Sequence, residues 1–173
     1  MKPLAVRIDT IPAEGRDVKF RFGADEVNAE LSERGVADIR LTGDIEGEAR
    51  FLQSGAEVYV LGKFSARVTL ACVRCLAEFD SPLTGEFHLA LSREAPSSDE
   101  EGEAELSAAD LELEPLEGEE IDLAALAVEQ FLLALPPYPL CREGCKGLCP
   151  RCGAERNREP CVCAEGVTDP RLA

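Results

Sequence analysis

Eight cysteines, in a fixed order of spacings, limit what this 173-residue chain can become. The first two form Cys72-Val73-Arg74-Cys75, and the rest run Cys141-x3-Cys145-x3-Cys149-x2-Cys152-x8-Cys161-x-Cys163. Thiols two residues apart can curl around one ion while the turn between them aims backbone N–H groups at the sulfurs, and a tetrahedral ion takes four such donors. Cys149-Pro150-Arg151-Cys152-Gly153 suits a knuckle of this kind, because its glycine accepts the backbone conformation of a tight turn. The spacing favours Cys72, Cys75, Cys141 and Cys145 for one four-thiolate site and Cys149, Cys152, Cys161 and Cys163 for a second. The first would staple the C-terminal part to the element that carries Cys72; the second would organise a tail too short for its own core. Zinc is the expected ion, one or two of them, and both sites would be closed structural arrangements with no open position. An iron–sulfur cluster and a regulatory dithiol are the alternatives for the same residues.

Upstream, hydrophobicity alternates. Ile39, Leu41, Ile45, Ala49 and Phe51 share one parity, and after Gln53-Ser54-Gly55 a second run places Val58, Val60, Phe64, Ala66, Val68 and Leu70 on one face. Period-two runs joined by a turn predict a long antiparallel hairpin, with a further strand through Phe87, Leu89 and Leu91. A short strand is expected around Val18–Phe22, and a helix or strand around Asp25–Leu31. Gly43, Gly47 and Gly62 fall inside the runs and suggest bulges or strong curvature. Asp122 can cap a helix over Leu123–Leu135 that is apolar almost all round, so it should lie buried against the sheet until Pro136-Pro137 stops it.

The expected fold is therefore α+β: a curved antiparallel β-sheet or partly open barrel packed by one buried helix, with a C-terminal cysteine-rich zinc-knuckle module. Its expected divisions are a mainly antiparallel β domain over 1–93, an acidic, flexible connector over 94–120, the helix and Pro-rich turn over 121–140, and the metal-binding module over 141–173.

Charge gives the connector its character. The formal net charge is −16, yet residues 94–120 hold 12 acids and no base, while 1–93 carries 15 acids against 12 bases and 121–173 carries 7 against 6. Unopposed carboxylates repel one another and offer little to bury. They solubilise the chain, or imitate phosphate for a basic partner. Generic attraction to DNA or to an anionic membrane is excluded by this balance. The chain has no apolar run of about 18 residues, and its N-terminus lacks a basic segment followed by an apolar one, so a cytoplasmic location is expected.

Catalysis is not expected. His88 is the only histidine and parity sets it opposite Phe87, Leu89 and Leu91, on the wetter face of the sheet; no glycine loop sits between a strand and a helix to cradle phosphate. Between Cys141 and Cys163 there are five bases and three acids. With Arg74, the bases Arg142, Lys146, Arg151, Arg156 and Arg158 are candidate RNA or partner contacts, or else they offset thiolate charge.

Three segments in order resemble the YceD family of large ribosomal RNA accumulation proteins: Leu70-Ala71-Cys72-Val73-Arg74-Cys75-Leu76 with Phe79, Ile121-Asp122-Leu123 through Ala134-Leu135-Pro136-Pro137-Tyr138-Pro139-Leu140-Cys141, and Gly147-Leu148-Cys149-Pro150-Arg151-Cys152-Gly153. The resemblance implies a cytoplasmic, non-enzymatic factor for accumulation of 23S rRNA, with a large-subunit ribosomal protein or precursor 23S rRNA as partner. By position it places Cys72, Cys75 and Cys141 in the family's recurring pattern, and the distal four cysteines in its fuller version. Alternatives from the residues alone are a zinc-stapled interaction module in transcription or another RNA process, and a redox-controlled zinc switch.

Overall fold

The computed structural model describes residues 4–36, 39–93, 113–116 and 118–163. The alternating runs become three long antiparallel strands. Strand β4 (Ile45–Ser54) turns through Gly55 and Ala56 into β5 (Glu57–Ala71), which pairs along its whole length with β6 (Glu78–Ser92). Ahead of them come β1 (Ala5–Arg7), β2 (Arg16–Phe22), helix α1 (Ala24–Glu33) and β3 (Ile39–Leu41); after them come β7 (Leu113–Pro115), β8 (Glu120–Asp122) and helix α2 (Leu123–Leu133). The main sheet has the order β2-β4-β5-β6-β7, with β3 pairing β5 beyond the end of β4 and β7 running parallel to β6. Among the described residues its end strands do not pair with each other, so the sheet is open and not a barrel. Among the described residues two α-helices accompany it, α1 where the sequence allows a helix or a strand and α2 where it predicts a helix. Strand β7 lies within the stretch expected to be connector, and β8 begins at its last residue; 94–112 and 117 of that stretch lie outside the described residues.

One buried cluster unites both halves of the chain. Phe51 and Val60 from the sheet, Leu31 from α1, Ile8 near the N-terminus and Leu123, Val128 and Phe131 from α2 are all fully buried in it. Strand β1 pairs with β8, Val6 opposite Ile121, which ties the N-terminal segment to the residues that lead into α2. Asp122 caps that helix as its sequence suggests, its carboxylate accepting from the N–H groups of Ala124 and Ala125. Leu133 at the far end of the helix remains 70% exposed, so burial is one-sided there.

The glycines play two different parts. Leu41 faces Val68 and Glu46 faces Ser65, so five steps on one strand answer three on the other. That excess is a bulge, and Gly43 is in it. The bulge presents Asp44 to α1, where its carboxylate accepts from Ala24 N–H at 3.0 Å and from Arg21 at 2.7 Å. Asn28 then clamps the helix to β3, donating to the Leu41 carbonyl and accepting the Leu41 N–H.

At Gly47 and Gly62, in contrast, the register is unbroken, and the expected bulges are absent. These positions lie beneath phenylalanine rings from the facing strands: Phe20 covers Gly47, Phe87 covers Gly62, and Phe64 covers Gly85. A methyl group at any of the three would overlap the ring above it. Gly62→Ala is expected to destabilise the protein by about 1–3 kcal/mol through overpacking, measured by urea unfolding; an unchanged midpoint would show that the ring does not depend on the missing side chain.

Candidate metal centres

The turn between β5 and β6 is a knuckle. Cys72 and Cys75 sit in it, Cys72 with no exposed surface and Cys75 with 6%. The carbonyl of Cys72 accepts from Leu76 N–H at 2.8 Å, and its N–H donates to the Ala77 carbonyl at 2.9 Å. Cys149 repeats both bonds with Gly153 and Ala154, at 2.9 and 2.8 Å. The two strings, Cys72-x-Arg74-Cys75-x-Ala77-Glu78 and Cys149-x-Arg151-Cys152-x-Ala154-Glu155, are thus one local structure used twice. In each, the residue after the second cysteine adopts a left-handed backbone, φ +60° at Leu76 and +74° at Gly153. Leucine bears a cost there that glycine avoids.

The remaining cysteines close on these knuckles. Cys72, Cys75, Cys141 and Cys145 form one group and Cys149, Cys152, Cys161 and Cys163 the other, each with its four sulfurs within 4.8 Å of one another. This is the division that the spacing favoured. All eight are free thiols. Within the groups Cys72 lies 3.8 Å from Cys145, Cys75 3.7 Å from Cys141, and Cys152 3.6 Å from Cys161, sulfur to sulfur. Four sulfurs at the corners of a tetrahedron about 2.3 Å from a central zinc stand about 3.8 Å apart. The donor set and the spacing therefore both fit a tetrahedral divalent ion.

Electrostatics point the same way. Burial raises the pKa of the Cys72 thiol, but the backbone N–H groups of Cys141, Cys75 and Arg74 outweigh it and bring the value down to about 6. For Cys149 the N–H groups of Cys152 and Arg151 lead, again to about 6. Cys141 is pushed up to about 12, by burial first and then by the neighbouring sulfurs. Cys163 reaches about 12 through Cys161 and Cys152. Each group thus holds one sulfur whose pKa is brought down and one whose pKa is pushed up. A cation among them would remove that conflict.

The proximal group is the better enclosed. Ala77, Phe79, Leu140 and the side of Cys141 pack against Cys72, Cys75 and Cys145, and Phe79 also touches the main core. Val73 N–H donates to the Pro139 carbonyl, so the chain leaving α2 lies against the knuckle. Gly147 has φ +70°, and a Cβ there would fall 2.8 Å from the Arg74 carbonyl, which already accepts from Leu148 N–H. The distal group has Cys152 exposed and Cys161 and Cys163 half-buried.

The candidate basic residues differ in their surroundings. Arg74 donates to the Cys145 carbonyl at 2.9 Å and Arg158 pairs with Glu155 at 3.1 Å, while Arg156 is half-buried. Arg142, Lys146 and Arg151 are exposed. Sequence reasoning missed Asn157, whose amide reaches the Cys145 sulfur; no spacing rule marks an asparagine in a polar loop. His88 is exposed on the outer face of the sheet, as its parity indicated. No helix among the described residues is long and apolar enough to cross a membrane.

An open, mainly antiparallel sheet with one four-sulfur group at the end of its longest hairpin and a second in the C-terminal segment defines an α+β fold with a cysteine-rich module. Residues 60–173 match the family described as large ribosomal RNA subunit accumulation protein YceD, and the chain belongs to that family. It is also similar to uncharacterized proteins of Mycobacterium bovis and of two strains of Mycobacterium tuberculosis, 35% identical over 120 residues, covering 67% of this chain. It spans about half the length of these curated relatives, 53%. No solved structure gives a significant match.

Two zinc ions per chain are expected by elemental analysis of anaerobically purified protein. A chelator should strip the distal ion first because Cys152 is exposed, and Cys152→Ser should leave one ion bound. Equal release rates would contradict this reading of the burial.

Proposed function

We propose that this protein is a non-enzymatic factor for accumulation of large-subunit 23S rRNA, held in shape by two structural zinc ions and acting in the cytoplasm through a basic ribosomal protein of that subunit. The observation that carries the reading is family membership over 60–173, a span that includes all eight cysteines. The chemistry of the sites supports it: four sulfurs for each ion leave no position for water or substrate, so the metal has a structural use.

Charge favours a protein partner over naked RNA. The stretch 141–163 has five bases and three acids, and two zinc–tetrathiolate centres would add four negative charges. The bases then do little more than neutralise the sulfurs, leaving a molecule whose acidic stretch is its strongest electrostatic feature. Counterion release rewards the opposite sign on a phosphate-gripping protein. Direct contact with precursor rRNA through the exposed Arg142, Lys146 and Arg151 is the second reading.

Depletion of the protein, followed at once by quantification of both subunits and their rRNA precursors, tests the function. Loss of large subunits and their rRNA is expected, with small subunits initially unaffected; normal amounts of both would refute it. In pull-downs from cells, capture of a basic large-subunit protein should survive ribonuclease and weaken with salt. Capture that ribonuclease abolishes would transfer the role to RNA.

A further inference from the structure

Asn157 belongs to the loop between Cys152 and Cys161, inside the distal group, yet its side chain serves the proximal one. Its Nδ2 donates to the Cys145 sulfur at 3.3 Å and its Oδ1 accepts the Lys146 N–H at 2.8 Å. The second bond fixes the orientation of the first: Lys146 N–H requires the amide oxygen, so the NH2 end must face the sulfur. The loop is held in place by Arg156 N–H donating to the Gly147 carbonyl at 3.0 Å and by a bridge between Leu148 and Glu155. Cys145 is thereby held from two sides, its carbonyl by Arg74 of the proximal knuckle and its sulfur by Asn157 of the distal loop.

We propose that Asn157 couples the two metal centres: closing the distal four-thiolate site sets the loop that carries it, and its amide then steadies the Cys145 thiolate as a ligand of the proximal ion. The inference rests on the zinc reading above. Four thiolates around one divalent ion carry excess negative charge, and an N–H donor to one of them withdraws charge and opposes its protonation or departure. Outer partners of this kind change metal affinity about 10–100-fold. Because binding free energies are linked, occupancy of the proximal site strengthens the distal one by the same factor. Asn157 is a positioning residue and not itself a ligand.

The test uses the full chain with Co(II) as the probe, since its thiolate charge-transfer absorption reports each site. Proximal affinity is measured in wild type and after removal of the distal site by Cys149→Ser with Cys152→Ser, and both measurements are repeated with Asn157→Ala and with Asn157→Asp. Loss of the distal site should weaken the proximal site about 10-fold in the Asn157 background and leave it unchanged in the Asn157→Ala background. Asn157→Asp keeps the acceptor for Lys146 N–H but turns an oxygen towards the sulfur. Removing the distal site should therefore strengthen proximal binding in that background. Amide hydrogen exchange of β4–β6 confirms that each variant keeps its sheet. Equal weakening with and without Asn157, or no weakening in either, overturns the coupling while leaving two zinc sites intact. A wild type that takes up neither cobalt nor zinc overturns the metal reading, and the coupling falls with it.

Discussion

The convergence of four sulfurs at the tip of the β5–β6 hairpin is the constraint from which the C-terminal half takes its form. Cys75 and Cys141 are 66 residues apart in sequence and 3.7 Å apart in space. Among the described residues beyond 141, the buried side chains are those of Cys145 and Cys149, and the small cluster at the site joins Cys145 to Cys72 and Cys75 of the hairpin. Thiolates at this distance repel, so a protein that crowds them together gains stability only when a cation takes their place in the balance. Apparent binding free energies of structural zinc, on the order of 10 kcal/mol, exceed what a few half-buried side chains in a short tail provide. With an ion bound, the attachment of 141–163 to the sheet would draw on that binding free energy.

Much of this was legible from side-chain periodicity and cysteine spacing, because both are local consequences of backbone geometry. Alternation marked the faces of β4 and β5, and Val58, Val60, Phe64, Val68 and Leu70 are buried on one face of β5 as their parity requires. Asp122 and Pro136 bracket α2 by capping and breaking rules that need no tertiary information. The grouping of the cysteines followed from the knuckle spacing. What escaped were features decided by a partner strand or loop. Gly47 and Gly62 look like bulge glycines until the register sets Phe20 and Phe87 across from them. Asp44 and Asn28 look like surface polar residues until α1 docks on β3. One missed signal was in plain view: the string Cys-x-Arg-Cys-x-Ala-Glu occurs twice, and the repeat alone announces two copies of one turn.

The outer face of the sheet shows how an acidic chain keeps its sheet close to neutral. Lys19, Glu48, Lys63 and Glu86 stand in a row across β2, β4, β5 and β6, alternating in sign, each opposite the next. Lys63 meets Glu48 at 2.9 Å, and Arg50 meets Asp17 at 3.1 Å in the neighbouring row. Exposed pairs of this kind contribute little stability, but they cancel the field locally. The charge left over is concentrated, in sequence, in 94–120, which carries 12 acids and no base. A partner steered by electrostatics would be drawn to that stretch and not to the sheet.

The two four-cysteine groups pose different problems of chain entropy. Bringing Cys152 to Cys161 closes nine residues, whereas bringing Cys75 to Cys141 closes 66. On a free chain the longer loop would cost roughly 1.8 kcal/mol more, by the logarithmic dependence on length. The folded sheet removes that disadvantage, because the pairing of β1 with β8 and the burial of Leu123, Val128 and Phe131 already hold α2 in place. Val73 N–H bonded to the Pro139 carbonyl carries the chain the last step to the knuckle. The proximal centre is therefore assembled on a finished scaffold, while the distal centre must organise its own loop. Asn157 spans that division: the loop that is cheapest to close supplies a hydrogen bond to the centre that the core has already prepared.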